Sequence, residues 1–247
     1  MDELKDFWLA EESRSMVGWD FSTLDNRWEM EDLPWDYFEI VNKYLRAEDK
    51  LLDMGTGGGE LLLQINHPYN NTYVTEGYKP NYELCQKNLM PLGITVKFVE
   101  NDNIPYDDEM FDIVLNRHDT YNPVEVNRVL KPDGIFITQQ VGNDNSKEIS
   151  EFLLGKRKNL FPNNYLPIAL KQITDYGFKI IDSGEKYAEI KFFDIGALVY
   201  YAKIIEWEFE GFSVQKCYNK LVELQNKIDD CGYVTSVEHR YYFVARK

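Results

Sequence analysis

Residues 53–59 read Asp-Met-Gly-Thr-Gly-Gly-Gly, with one apolar run before them and another after. Glycines at 55, 57 and 59 let a backbone approach a ligand with no Cβ in the way. Glu76 follows seventeen residues after Gly59 and closes a second apolar run. A carboxylate there can accept hydrogen bonds from a pair of sugar hydroxyls. The chemistry within reach is capture of a nucleotide or nucleoside at the end of a strand. A phosphate cradle is disfavoured. A G-x-G-x-x-G turn would put its third glycine at position 60, which is Glu60, and no Gly-Lys-Ser/Thr of a P-loop follows. Taken alone, the glycines also suit a tight turn that binds nothing.

Further candidates stand at the ends of later apolar runs. "FVEND" carries Glu100 and Asn101, and "FDIVLNRHDTY" ends in Asn116, Arg117, His118 and Asp119, with Tyr121 just beyond. His118 is one of three histidines and suits either a base or a group that orients a substrate. Arg117 can hold an acidic substrate or pair with one of the many carboxylates. Gln139 and Gln140 close another such run. Cys85, Cys217 and Cys231 have no metal spacing, and no metal site is expected.

Elements that would position these residues follow from the periodicity. "KLLDMG", "TYVTEG", "TVKFVEN", "FDIVLNRH" and "GIFITQQVG" have the apolar character of strands. "GELLLQIN", "NYELCQKNLMPLG" and "PVEVNRVL" have helical spacing, and "KPDG" reads as a turn. Apolar strands alternating with helices predict a parallel sheet covered on both faces. After residue 160 come a helix in "YLPIALKQITDYGF", a strand or bent hairpin in "FKIIDSGEKYAEIKFF" and a C-terminal strand in "HRYYFVARK". The segment between those last two is largely helical and reads as an insertion. Residues 1–46 read as helical and aromatic-rich. Trp19, Phe21, Tyr200 and other aromatics of these two segments are candidates for an acceptor cavity.

The 247-residue chain has a formal net charge of −15, which disfavours binding to a phosphate backbone. Aromatics make up 15% of it. The scattered cysteines read as free thiols of a reducing compartment, the acidic N-terminus lacks a signal-peptide core, and no stretch approaches the roughly 18 apolar residues of a membrane span. A cytoplasmic location, without membrane partners, is expected.

Asp53-x-Gly55-x-Gly57-x-Gly59, Glu76, the Glu100-Asn101 pair with Ile104-Pro105-Tyr106, Phe111-Asp112, and Leu130-Lys131-Pro132-Asp133-Gly134 occur in one order across residues 50–140. That order resembles the class I S-adenosylmethionine-dependent methyltransferases, and in its cofactor half the ubiquinone/menaquinone-biosynthesis type. The Glu-Asn pair departs from the commoner Asp-Ala. The resemblance implies an α/β, three-layer Rossmann-like fold with a seven-stranded sheet, mostly parallel with an antiparallel last strand. It implies a single domain over 1–247: an N-terminal lid at 1–46, a cofactor-binding core at 47–191, an inserted cap at 192–232 and a last strand at 233–247. It places S-adenosylmethionine on Asp53, Gly55, Thr56, Gly57, Gly59, Glu76, Gly77, Glu100, Asn101 and Asn116, with S-adenosylhomocysteine as product. The expected reaction is direct displacement governed by positioning, with a small molecule as acceptor and His118 as the candidate catalytic group. Trp19, Phe21, Arg117, Tyr121 and Tyr200 are candidates for the substrate pocket. An RNA or protein methyltransferase and a non-catalytic S-adenosylmethionine-binding protein are the alternatives.

Overall fold

Side chains along a strand alternate between its two faces, and here the alternation sorts the core into two layers. Leu51, Val74, Ile113, Leu115, Ile135 and Ile137 pack on one face, with Val41, Leu62 and Cys85 from helices. Leu52, Val114 and Phe136 pack on the other, with Val126, Val129 and Ile173 from different helices. The result is a sheet between two helical layers. The computed structural model describes residues 2–15, 22–101 and 103–247.

The strands are β1 (Trp28–Met30), β2 (Leu51–Met54), β3 (Thr72–Glu76), β4 (Thr95–Phe98), β5 (Phe111–Arg117), β6 (Leu130–Val141), β7 (Lys179–Phe192) and β8 (Val234–Arg246). They form a sheet of order β1-β7-β8-β6-β5-β2-β3-β4. Strands β2 to β6 pair in parallel. Strand β8 runs against β6: the Lys247 N–H donates to the Gly134 carbonyl (3.0 Å), and the Gly142 N–H donates to the His239 carbonyl (2.8 Å). From β2 the chain builds outward to β3 and β4, then returns to place β5 and β6 on β2's other edge. The order therefore switches between β2 and β5, and the carboxyl ends of those strands frame a crevice.

Two expectations need correction in detail, and one open choice is decided. The described residues hold eight strands, not seven. The extra one is β1, inside the segment expected to be helical, where Trp28, Glu29 and Met30 pair antiparallel with Phe192, Lys191 and Ile190. Of the strand or bent hairpin expected in "FKIIDSGEKYAEIKFF", the structure has the strand, Lys179–Phe192. Lys131–Gly134, expected as a turn, lies within β6. The ladder absorbs it with a shift of register between Phe111 and Ile113 and a positive φ of 64° at Asp133. The Lys131 ammonium anchors it to Asp112 (2.7 Å).

Helices begin where side chains can satisfy the free N–H groups of the first turn. They are α1 (Asp2–Ser13), α2 (Tyr37–Tyr44), α3 (Glu60–Gln64), α4 (Lys79–Asn88), α5 (Pro123–Val129), α6 (Lys147–Leu154), α7 (Leu166–Asp175), α8 (Ile195–Ile204) and α9 (Val214–Cys231). Asp36 caps α2 by accepting from the Glu39 N–H (2.9 Å), and Asn122 caps α5 by accepting from the Val124 N–H (3.0 Å). Among the described residues no helix is long and apolar enough to cross a membrane.

The chain divides into two compact units. One comprises residues 34–141, 165–185 and 241–247, and the other 1–33, 142–164 and 186–240. The first holds the two-faced core above. The second gathers α1, α6, α8 and α9 around Trp8, Phe192, Leu198, Tyr200, Phe209 and Leu221. Inside it lies a buried polar knot. Arg157 donates to Glu208 (2.6 Å), to the Asn145 carbonyl (2.9 Å) and to the Asn143 carbonyl. Burial pushes the Glu208 carboxyl up to about 7, against the pull of Arg157 and Arg240.

Replacing one partner of such a pair strands the other charge in a poorly solvated place. Arg157→Met should cost about 3–5 kcal/mol in denaturant titrations at pH 8. A carboxylate with a raised pKa destabilises the fold only while it is ionised, so the loss should shrink at pH 5, where Glu208 is protonated. Glu208→Gln in the same background should recover part of the loss at pH 8. An equal loss at both pH values would contradict this account.

Candidate functional site

The glycine turn leaves β2 and enters α3 through three left-handed residues: Gly55 (φ +65°), Gly57 (φ +65°) and Gly59 (φ +87°). Other L residues are strained in that region, which fixes the need for glycine at these alternate positions. Space adds a second constraint. A Cβ on Gly55 would fall 2.1 Å from an Asp119 carboxylate oxygen, and one on Gly59 would fall 2.7 Å from the Leu89 side chain.

The turn is tied to the next strand. The N–H groups of Gly55 and Thr56 donate to the Thr75 carbonyl (3.0 and 3.3 Å). One Glu76 carboxylate oxygen accepts from the Gly57 N–H and the other from the Tyr78 N–H, both at 2.8 Å. Glu76 thus joins the loop after β2 to the loop after β3, and each oxygen keeps a second lone pair for a ligand hydroxyl. From below, the Cys85 thiol donates to the Gly57 carbonyl (2.9 Å). Burial pushes that thiol up to about 12, which keeps it a neutral donor.

The electrostatics are lopsided. Desolvation raises Asp53 to about 7; the nearby Thr56 hydroxyl and the Arg117 charge pull it down, while Glu76 and Asp119 push it further up. Desolvation also raises Glu76, with Asp119 adding to it and the N–H groups of Tyr78 and Gly57 opposing. Arg117 is the charge that relieves Asp53, and its guanidinium lies over the Tyr37 ring, 5.8 Å from the centroid. Three acids converge here on one arginine, a setting that favours a cationic ligand.

Buried polar atoms without a partner point the same way, since burial normally demands a hydrogen bond. Among the described residues, the Tyr37 hydroxyl, the Thr56 hydroxyl and the Asn116 Nδ2 are buried with none. Asn116 is fully buried beside Met54, its register partner on β2. Its Oδ1 accepts from Gln140 Nε2 (2.6 Å) and the Thr138 hydroxyl (3.1 Å), which aims the amide and leaves its N–H₂ available. The Thr56 hydroxyl lies near enough to Asp53 to lower its pKa but makes no aligned hydrogen bond.

The fold brings Asp53, Gly55, Thr56, Gly57, Gly59, Glu76, Asn116 and Arg117 to this crevice, with His118 following on the same strand end. Gly77, exposed after Glu76, has no room for a side chain without a 3.0 Å approach to the Val99 carbonyl. Glu100 and Asn101 are exposed on the loop after β4. Tyr121 is half-buried and packs edge-on against Phe136 (5.0 Å between centroids), which engages it in the core. Tyr200 is 2% exposed inside the core of the other unit. Trp19 and Phe21 lie outside the described residues. Sequence reasoning missed Tyr37, which reaches Asp53 and Arg117 only through folding, and did not assign Asp119.

Residues 52–138 match a family model described as a methyltransferase domain. The solved structure of the YcgJ protein from Bacillus subtilis is similar, with a TM-score of 0.57 at 16% identity over 85% of this chain and 96% of that one. An S-adenosylmethionine-dependent methyltransferase from Methanosarcina mazei aligns with a TM-score of 0.50 at 16% identity, over 86% of this chain and 99% of that one. The [4+2]-cyclase SpnF aligns with a TM-score of 0.51 at 16% identity, over 85% and 80%. At such identities the likeness shows the fold, which can host more than one reaction. No curated protein matches the chain.

The raised Asp53 carboxyl makes a prediction without any ligand. Its folded pKa lies above its ordinary value, so its ionisation destabilises the fold as pH rises from about 4 to 7. Asp53→Asn should therefore stabilise the protein by about 1–3 kcal/mol at pH 8 and by almost nothing at pH 4. Denaturant midpoints at the two pH values check this; a loss at pH 8 would show Asp53 to be a net stabilising ion.

Proposed function

We propose that residues 52–138, which match the methyltransferase-domain model, belong to a class I methyltransferase whose cofactor is S-adenosylmethionine, and that the chain transfers the methyl group to a small-molecule acceptor by positioning, without a covalent enzyme intermediate. The observation that carries the proposal is the acid-rich glycine turn with its orphaned donors. When bound, S-adenosylmethionine supplies an electrophilic methyl on a positively charged sulfur, which leaves as a neutral thioether.

Asp53, desolvated and underpaired, suits the cofactor's ammonium group. Glu76 retains lone pairs for the ribose hydroxyls. Tyr37 and Arg117 pair a hydroxyl donor with a cation and suit the carboxylate end. Gly55, Thr56, Gly57 and Gly59 admit the nucleoside to the backbone, with Gly77 leaving the next loop open. Asn116 turns its N–H₂ toward the methionine end. Glu100 and Asn101 remain our assignments for the adenine. His118 is assigned to orient the acceptor, with Arg117 beside it.

No acid is needed to help a neutral leaving group, so alignment is the main task, and alignment can be worth roughly 7–11 kcal/mol. The segments expected as lid (1–46) and cap (192–232) are our assignment for acceptor recognition; the second unit holds residues 1–33 of the first and all of the second, together with 142–164. A net charge of −15 supports a small molecule over a nucleic acid.

Glu76→Ala and Asp53→Ala should each weaken S-adenosylmethionine binding by about tenfold or more in calorimetry, as expected for losing a hydrogen bond to a charged group. Tight NADH binding without S-adenosylmethionine binding would overturn the assignment. The acceptor class is tested by incubating the protein with methyl-labelled cofactor and a cell extract. Label is expected in the small-molecule fraction; label in RNA or protein would refute that part. With an acceptor in hand, His118→Ala should slow methyl transfer; an unchanged rate would remove His118 from the mechanism, and an unchanged pH profile would remove it as a base.

A further inference from the structure

His118 sits in the left-handed region (φ +57°) directly after β5. Histidine tolerates that region better than most residues, yet the conformation must be held by its surroundings. Gln139, the register partner of Arg117 on β6, holds it twice. The Gln139 carbonyl accepts from the His118 N–H (2.8 Å), and the Gln139 side-chain nitrogen meets His118 Nε2 (3.2 Å).

Which atom donates in that second contact is settled by a third residue. The Trp35 indole N–H lies 2.8 Å from Gln139 Oε1. An indole N–H is a donor only, so the amide atom facing it must be the oxygen. The other amide atom is then the N–H₂, which can only donate. His118 Nε2 must therefore offer its lone pair, and in the neutral ring the proton sits on Nδ1. Gln139 is 2% exposed. Trp35 is itself wedged against Tyr242, with ring centroids 4.8 Å apart. Packing thus holds Gln139 and Trp35 in this orientation.

We infer that Gln139, oriented by Trp35, is a positioning residue that fixes His118 in its Nδ1–H tautomer and makes it a hydrogen-bond donor rather than a base acting through Nε2. The inference rests on the reading of His118 as the acceptor-orienting group. It deepens that reading by stating what the acceptor must offer: a lone pair on oxygen or nitrogen near the transferred methyl.

The other two histidines supply internal controls. His67 Nε2 lies 2.9 Å from the Asp49 carbonyl, which can only accept, so this nitrogen carries a proton. His239 is fully buried, and its Nδ1 accepts from the Asp144 N–H (3.2 Å), which places its proton on Nε2. In the neutral state the chain should thus show two Nε2–H rings and one Nδ1–H ring.

The test is long-range proton–nitrogen correlation of the histidine rings in the full-length protein at pH 8, where protonated and lone-pair nitrogens resonate far apart. Three ring systems are expected, and the one lost in His118→Ala should be the Nδ1–H form. An Nε2–H ring for His118 in the wild-type chain would overturn the inference, with no variant needed. Gln139→Glu presents acceptors to both neighbours and should move the His118 proton to Nε2. Trp35→Phe frees the amide to reverse and should give a mixture. Unchanged rings in both variants would also overturn it. If methyl transfer by His118→Ala kept its rate while the tautomer proved correct, the functional reading would fail and the positioning of the ring would stand.

Discussion

A carboxylate that accepts two backbone N–H groups at 2.8 Å holds the loops after β2 and β3 together: Glu76, bonded to Gly57 and Tyr78. The loops follow different strands and have no other side-chain tie of this kind among the described residues. Because Glu76 is only 6% exposed, its charge is costly, and the two N–H groups only partly relieve the cost. Asp53 faces the same problem in the same place, and the Asp119 charge adds to it. The turn is thus built at a loss in the free protein, which a cationic ligand of the kind proposed would recover. Sites that store such cost can bind tightly without a large contact area.

The position of these acids follows from topology. Strand order reverses between β2 and β5, so no helix covers the gap at their carboxyl ends. Side chains that would elsewhere be buried under a connection are left facing a crevice. Asn116 illustrates the outcome. It occupies a core position of β5 by burial, yet one side of its amide is held by Gln140 and Thr138 while the other has no partner among the described residues.

Much of this was legible in the chain. Gly55, Gly57 and Gly59 could be read because a left-handed backbone leaves few alternatives to glycine. Glu76 could be read because strand length fixes its distance from the turn. The two faces of the sheet were legible in the alternation of Leu51 with Leu52 and of Ile113 with Val114. Strand β1 was not, because three residues carry too little periodicity and Trp28 pairs with a strand more than 160 positions away. Tyr37 was hidden for a similar reason: its spacing is that of an ordinary helix face, and only folding sets it against Asp53. The Trp35–Gln139–His118 relay spans 104 positions between its first two members and has no local signature. Tyr121 shows the opposite limit, since a position near a strand end did not distinguish a pocket aromatic from one packed against Phe136.

The central claim is that underpaired, desolvated acids at the glycine turn are what the cofactor's positive charge satisfies. Calorimetric titration of the full-length protein with S-adenosylmethionine at pH 7, in two buffers of different ionisation enthalpy, tests it most directly. With Asp53 near half ionisation in the free protein, binding should release protons, approaching about half a proton per site as the carboxyl becomes fully charged. Binding without buffer dependence, or with proton uptake, would contradict the account.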